Sequence, residues 1–447
     1  MSGDERAASI RRPLTLSFGA SVAVQAMNVL TGVLLARTLG PHGRGDLAAV
    51  ILWPSAIASI GGLGVAEATT FYLARQAESL ASVLGTSLAL AVAQSAICVC
   101  VGAALTPVVL SHFGDDTVRA AYVFLAFIPA NLITLTLMSA LNGLQRFGEF
   151  QALRLSVIAL TCVSIGGLRA ADELTVMNVT AAYIGANIAA GLLAFALVAR
   201  AGGLRFSFRR ATARRLVTYG IKSHTSSVTW MMNERLDQLV ISMFLAPAKL
   251  GLYVTAVTMT SLVSLVGSSV SGAAFPVVAK LRTGRPQADA MRRFVRLSLI
   301  ASAAVALPLI VAAPAVIDVF FKDAYGSAAN VSRVLMVAAV VLSTNRALGA
   351  CLKAMNRPLD AGIGEALALA VTAGGLAALL PLLGIMGAAV VSLAAYVVST
   401  AWMARRAAAA IDSSVWSLLL PGRAEYEWMV RRPWPRPALR AGDAVEP

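Results

Sequence analysis

Apolar runs long enough to cross a bilayer recur twelve times along this chain of 447 residues. They lie at about 14–36, 47–72, 81–107, 120–141, 151–171, 178–199, 216–245, 253–279, 294–316, 332–352, 359–380 and 384–404. A bilayer core takes roughly 20 consecutive apolar residues at ~1.5 Å rise per residue. In hydrocarbon the backbone must satisfy itself, and an unbroken apolar run of this length does so as a helix. Short connections place successive helices antiparallel in a bundle. The expected fold class is therefore all-α, a polytopic integral membrane protein of about twelve transmembrane helices. Composition agrees: 58% of residues are hydrophobic, 13% are charged, and mean hydropathy is +0.76.

The formal charge of +15 would suggest nucleic acid in a soluble protein. Here the cations sit between and beside the spans, and no nucleic-acid partner is expected. One set of segments holds 27 Lys and Arg, among them Arg75, Arg146, Arg209, Lys280, Lys353 and Arg357; the alternate set holds 7, namely Arg37, Arg44, Arg119, Arg169, Lys249, Lys322 and Arg333. The positive-inside rule assigns the richer set, and both termini, to the cytoplasm. The expected division is a cytoplasmic N-terminus at 1–13, a six-helix lobe at 14–199, a basic cytoplasmic linker at 200–215, a second six-helix lobe at 216–404 and a cytoplasmic tail at 405–447. The N-terminal run is too long for a signal-peptide core and reads as an uncleaved first helix. In the tail, IDSSVWSLLL is too short to span and reads as interfacial, with the remainder extended or disordered. Cys98, Cys100, Cys162 and Cys351 all fall inside apolar runs and read as small core hydrophobes.

A weak internal repeat relates the two halves. Leu39-Gly40-Pro41 followed by Gly45 matches Leu245-Ala246-Pro247 followed by Gly251 at an offset of 206 residues, and Gly61 then meets Gly267. With small shifts Asn142-Gly143-Leu144-Gln145-Arg146 meets Lys353-Ala354-Met355-Asn356-Arg357. Six spans per copy give both copies the same orientation, hence two pseudo-symmetric lobes about an axis along the membrane normal, with a binding site between them.

The seventh span, 216–245, departs from the others. Glu234, Arg235 and Asp237 sit near its middle, and Lys222 and His224 nearer its start. Such charges cost ~2.5–3.5 kcal/mol each at the centre of a helix, so they face protein or a wet cavity. Lys222, Ser226, Thr229, Asn233 and Asp237 recur on one face at helical spacing and form a polar stripe suited to a cavity wall. Pairing of Glu234 and Asp237 with Arg235 within the helix is the bland account, and both can hold. Lys222 is close enough to the end to snorkel. Arg346 and Glu365 stand at similar depth on either side of one turn, which suggests a salt bridge or, for Arg346, a ligand role. Glu67 is a further acid that either carries a coupling proton or pairs. Gln25 and Asn28 make the first span polar but uncharged.

Enzyme signatures are missing from the sequence. It has no G-x-x-x-x-G-K-[ST], H-E-x-x-H, C-x-x-C or G-x-S-x-G. Asp115-Asp116 near His112 reads as a solvated loop, so no metal or cofactor is expected. Between spans there is no room for a large catalytic domain, which weighs against a membrane glycan polymerase or transferase.

Three stretches resemble a known family. VLLARTLGPHGRGDLAAVI at 33–51 resembles the opening of polysaccharide flippases, ERLDQLVISMFLAPAKLGLYVTAV at 234–257 the opening of their second half, and LLGIMGAAVVSLAAYVVSTAWMARR at 382–406 their last helix. The similarity points to the Wzx-like branch of the multidrug/oligosaccharidyl-lipid/polysaccharide (MOP) exporter superfamily. It implies a V-shaped, MATE-like pair of lobes, alternating access, and transfer of an undecaprenyl-diphosphate-linked oligosaccharide across a bacterial inner membrane. The family's Arg and Asp of the seventh helix fall on Arg235 and Asp237, while Ala246 stands where the turn commonly has Gly. Expected partners are the lipid-linked oligosaccharide and membrane lipids, with a polysaccharide polymerase and glycosyltransferases as possible protein partners. The candidate substrate-binding residues are Arg235, Asp237, Glu234, Lys222, Asn233, Thr229, Ser226 and Arg346. A MATE-type drug or cation antiporter is the alternative; its cavity should be apolar and acidic.

Overall fold

A computed structural model describes residues 3–76, 79–202 and 206–420, with the side chains of 3–18 and 225–227 outside the described set. The tail beyond 420 and the side chain of Ser226 therefore lie outside the described residues. The helices are α1 Gly3–Gly61, α2 Val65–Ala74, α3 Leu80–Val109, α4 Asp115–Phe124, α5 Phe127–Gly143, α6 Phe147–Ala170 and α7 Val176–Arg200 in the first half. The second half has α8 Arg210–Phe244, α9 Pro247–Lys280, α10 Arg285–Phe321, α11 Ala328–Ala354, α12 Pro358–Ala410 and the short α13 Val415–Leu419.

Among the described residues nine helical segments are long and apolar enough to cross a membrane. Two of them, α1 and α12, each make two passes, because Gly40 (φ 67°) and Gly384 (φ 57°) break the helix. The second pass of α1 continues into α2, and α4 with α5 makes another pass. With α8, polar through its middle, the passes number twelve, as expected from the apolar runs. The passes form the expected two six-helix lobes.

Turn chemistry repeats between the lobes. Gln145 and Asn356 both adopt φ 59°. The Arg146 N–H donates to the Leu141 carbonyl and the Arg357 N–H to the Leu352 carbonyl, each at 2.9 Å. The Gln145 and Asn356 N–H groups donate to Asn142 and Lys353 at 3.0 and 3.2 Å. Each lobe thus ends a long helix with a Schellman cap at the same place. The other repeat pair differs in a way that explains its residues. Gly40 occupies the left-handed region, where a side chain is strained, whereas Ala246 sits at φ −57° and tolerates its methyl group. Pro41 and Pro247 then start the following helices, where a missing N–H costs nothing.

Local cores lie inside each lobe. Ala58, Cys98, Ile128 and Leu132 form one in the N-terminal lobe, and Ala274, Met291, Leu348 and Met403 one in the C-terminal lobe. A larger core crosses between lobes at the arginine-poor end, uniting Ala48 and Leu52 with Ile241, Leu250, Tyr253 and Tyr325. Polar contacts fasten the same seam. The Tyr325 hydroxyl donates to the Ala36 carbonyl at 3.0 Å, and Arg37 donates to the Val319 carbonyl at 2.5 Å.

Three expectations are corrected. Helix α8 begins at Arg210, so the last part of the expected linker 200–215 is helical. Its first turns also pack on the N-terminal lobe: Leu216 is buried against Ala68, Leu73, Leu84 and Leu141. Helix α8 thus bridges the lobes, because Leu216 and Tyr219 present an apolar face at its start. Cys100 is exposed, while Cys98 and Cys351 are buried; the α3 face carrying Cys100 turns outward.

Candidate functional site

The candidate residues collect on α8, whose two sides meet different partners. Asn233 and Asp237 face the C-terminal lobe and are buried. The Asn233 side-chain amide donates to the Glu365 carboxylate at 2.7 Å and to the Glu365 carbonyl at 3.1 Å. Asp237 accepts from the Tyr253 hydroxyl at 2.5 Å and from the Ser392 hydroxyl at 3.3 Å, while its other oxygen accepts the Gln238 N–H at 2.7 Å. A carboxylate with three donors is satisfied despite its depth. The stripe expected to line a wet cavity is thus turned, at these two positions, into the packing of the lobe. The two side-chain donors come from other helices, Tyr253 from α9 and Ser392 from α12, the latter 155 residues away in sequence.

Glu234 is ion-paired with Arg346 of α11. Arg346 also stands 6.0 Å from the centre of the Trp230 ring. The expected bridge between Arg346 and Glu365 is therefore replaced by two cross-helix contacts. Helix α8 packs against α12, and Asn233 intercepts the Glu365 carboxylate. Neither acid forms an ion pair with Arg235 within α8, although Asp237 remains close enough to attract its charge.

Arg235 lies on the other side. His224, Val228, Met231, Arg235, Gln238 and Ser242 are spaced alternately by four and three residues and make one stripe along α8. The stripe faces the N-terminal lobe at both ends. Trp53 Nε1 donates to Ser242 Oγ at 3.0 Å. His224, Val228 and Met231 line a cavity of about 270 Å³ together with Glu67, Gln94 and Asn131. Arg235 lies on this stripe between the two contacts, on the side of α8 that meets the N-terminal lobe, and is exposed. Its polar contact is the Gln238 side-chain oxygen at 3.5 Å, while both neighbouring acids are held elsewhere.

Of the remaining candidates, Thr229 is half-buried on α8. Lys222 lines a different pocket with Tyr72, Arg214, Arg215, Thr218 and Tyr219. Gln94 and Asn131 escaped the sequence reading, although an amide inside an otherwise apolar run is a signal that a search could use.

Two pairs of glycines bring the lobes into close approach. A Cβ on Gly45 would lie 1.8 Å from the Pro247 carbonyl oxygen, and one on Gly251 would lie 1.9 Å from that of Pro41. At the arginine-rich half, a Cβ on Gly64 would lie 2.4 Å from the Gly220 carbonyl oxygen, and one on Gly220 the same distance, 2.4 Å, from that of Leu63. The lobes are therefore in backbone contact on both sides of the cleft.

No curated protein sequence matches the chain. Among solved structures, the fold is similar to the lipid II flippase MurJ in an inward closed conformation, at 13% identity and a TM-score of 0.73, with 87% of each chain covered. It is also similar to an inward-facing multidrug resistance MATE family transporter of the MOP superfamily, at 17% identity and a TM-score of 0.66, covering 86% of this chain and 95% of that one. The eukaryotic MATE transporter AtDTX14 aligns at 14% identity and a TM-score of 0.62, over 90% of this chain and 98% of its own. These identities speak to fold. Family membership comes from the sequence itself: the family model described as polysaccharide biosynthesis protein matches residues 12–282, which take in the first eight passes. That is more than half of the chain, which therefore belongs to the polysaccharide biosynthesis protein family and carries the fold shared by MurJ and the MATE transporters.

Proposed function

We propose that the protein moves an undecaprenyl-diphosphate-linked oligosaccharide from the cytoplasmic to the outer leaflet of a bacterial plasma membrane by alternating access, for cell-surface polysaccharide synthesis. The observation that carries this reading is Arg235, an arginine on the cleft-facing stripe of α8 whose neighbouring acids are engaged by Arg346, Tyr253 and Ser392. A diphosphate calls for a cation in the cleft, and the guanidinium fork suits paired phosphate oxygens better than an ammonium. Gln94 and Asn131 on the cavity wall offer neutral donors and acceptors to sugar hydroxyls. The polyprenyl tail stays in the bilayer.

In this reading Glu234, Asn233, Asp237 and Arg346 hold α8 against the C-terminal lobe, and Arg235 meets the substrate. The arginine-rich end faces the cytoplasm with both termini. Membrane potential supplies ~2.3 kcal/mol per charge per 100 mV, enough to bias such a cycle. Glycosyltransferases that build the oligosaccharide and a polymerase that consumes it are the partners this chemistry implies.

Deleting the gene tests the reading. Lipid-linked oligosaccharide should accumulate on the cytoplasmic face, with loss of surface polysaccharide. Normal surface polysaccharide together with lost resistance to cationic drugs would overturn it in favour of the antiporter.

A further inference from the structure

A second cationic feature lies away from the cleft. Upstream of α8 the chain crosses the start of α3. The Ser207 N–H donates to the Ala81 carbonyl at 3.1 Å, and the Arg209 N–H donates to Thr86 Oγ1 at 3.2 Å. A Cβ on Gly85 would lie 2.6 Å from the Ser207 nitrogen, so the segment lies flat on the lobe. Phe206 and Phe208 flank Ser207 and are 52% and 62% exposed. Exposed aromatic rings beside arginines, at the end of a transmembrane bundle, suit the boundary between headgroups and acyl chains.

Just beyond, Arg214, Thr218 and Lys222 recur every four residues on α8. With Arg215 and the tyrosines Tyr72 and Tyr219 they line a pocket of about 310 Å³. No acid is among the described lining residues. The tyrosine wall is fixed. Phe71 stacks on Tyr219 at 4.2 Å between centroids, Tyr72 meets Tyr219 edge-on at 6.0 Å, and the Arg75 guanidinium lies 4.5 Å from the Phe71 centroid. These contacts join α2 to α8 beside the Gly64–Gly220 approach. At about 100° per residue, Lys222 and His224 point roughly 160° apart. The pocket therefore opens on the side of α8 opposite the cleft, and a ligand bound in it is outside the transport route.

We propose that this pocket binds the phosphate headgroup of an anionic membrane phospholipid, and that the bound lipid holds α8 closed against α2. Arg214 and Lys222 lie on one face of α8, two turns apart with Arg215 beside them, and a phosphate bound between the two meets charge of the opposite sign from both. Phe206 and Phe208 seat the same end of the protein at headgroup depth. The inference does not depend on what the cleft transports.

The test uses the full chain and two probes, phosphatidylglycerol and phosphatidylcholine. Native mass spectrometry of the purified protein should show retained phosphatidylglycerol. Arg214→Gln/Arg215→Gln/Lys222→Gln should weaken that binding on the order of a hundredfold, from about fivefold per basic residue. Arg282→Gln/Arg285→Gln, exposed cations elsewhere at the same end, should leave it unchanged, and phosphatidylcholine should not distinguish the variants. Thr218→Trp, which fills the pocket and keeps its charge, should weaken phosphatidylglycerol binding as well, and serves if the triple variant does not fold. In vesicles, a reporter cysteine at Val228 on the cavity wall should react more slowly with phosphatidylglycerol than with phosphatidylcholine. Undiminished phosphatidylglycerol binding by the triple variant or by Thr218→Trp overturns the site. So does displacement of bound phosphatidylglycerol by undecaprenyl phosphate at a much lower concentration, which would mark the pocket as a substrate-capture site.

Discussion

Gly45 and Gly251, separated by 206 residues in sequence, lie backbone to backbone across the seam between lobes, each facing the turn of the other. Either Cβ would fall within 2 Å of a carbonyl oxygen, at 1.8 Å from Pro247 and 1.9 Å from Pro41. Such a distance is a collision with main chain, which no rotamer change relieves. Gly251→Ala should therefore prevent closure at this end and favour the conformation open there. A single cysteine at Gln238, deep on the cleft-facing stripe, should then react on the order of tenfold faster with an impermeant thiol reagent added outside, since ~1.4 kcal/mol moves an equilibrium tenfold. Unchanged reactivity would show that this seam does not gate access.

The opposite seam should respond in the opposite sense. A Cβ on Gly220 would lie 2.4 Å from the Leu63 carbonyl oxygen, so Gly220→Ala should lift α8 from α2. Val228, on the wall of the cavity beneath α8, should then become more reactive as a cysteine from the arginine-rich face. The same reagent applied to the other face should show no increase.

What the sequence made legible, and what it hid, follows from the range of each interaction. The twelve passes, the Gly40 break and the paired caps at Gln145 and Asn356 depend on neighbours within a few residues, so they can be read locally. The repeat offset also anticipated that Gly45 and Gly251 are equivalent, though not that they touch. The partners of α8 were hidden. Asp237 is satisfied by Tyr253 and Ser392, and Glu234 by Arg346, through contacts between helices whose relative rotation no local pattern specifies. Spacing placed Asn233 and Asp237 on one face of α8 but did not say which lobe that face would meet. The same rotation left Arg235 on the cleft side, although its charge alone could equally have been absorbed by Glu234 or Asp237.

The ion pair of Glu234 with Arg346 is partly buried, with side-chain exposures of 26% and 18%. Removing one partner of a buried pair costs ~3–5 kcal/mol, and this pair should lie toward the lower end of that range because water reaches it. Arg346→Met should therefore reduce membrane abundance and lower the melting temperature. Adding Glu234→Gln should restore most of both, because no charge is then left unpaired. Immunoblotting of membranes and thermal unfolding of purified protein measure the two effects. Failure of the second substitution to rescue would mean that Arg346 acts through groups other than Glu234.

Tyr325 closes the arginine-poor seam by donating to the Ala36 carbonyl at 3.0 Å. It lies outside the membrane-spanning helices, and burial pushes its hydroxyl from 10.0 up to about 12. The folded protein thus keeps the proton where the unfolded chain has lost it. The associated stability is complete below pH 10 and is lost as pH rises from 10 to about 12. Tyr325→Phe should cost ~1 kcal/mol at neutral pH, for the lost hydrogen bond, and should flatten the decline in melting temperature across that alkaline window. A decline of equal slope in both proteins would place the alkaline sensitivity elsewhere.

Arg235 offers the sharpest separation between a structural charge and a substrate-binding one. It is exposed on the side of α8 that meets the N-terminal lobe, and its polar contact within the protein is the Gln238 amide oxygen at 3.5 Å. Its removal breaks none of the ion pairs or hydrogen bonds that hold α8 to the C-terminal lobe, since Glu234 stays with Arg346 and Asn233 with Glu365. Arg235→Ala should therefore leave membrane abundance near normal while lowering surface polysaccharide at least about tenfold, the effect of losing one charge-assisted bond of ~1.5–3 kcal/mol. Arg235→Lys should recover only part of the export, because a point charge cannot grip two phosphate oxygens in the plane of a guanidinium. The companion variant is the quadruple replacement Arg235→Ala, Glu234→Gln, Asp237→Asn, Arg346→Met, which removes every charge at this depth of α8 together with the partner of Glu234. If Arg235 serves the substrate, that protein inserts and does not export. Export by the charge-free protein, measured as surface polysaccharide per membrane-inserted copy, would assign Arg235 to charge balance and remove the phosphate contact from the mechanism.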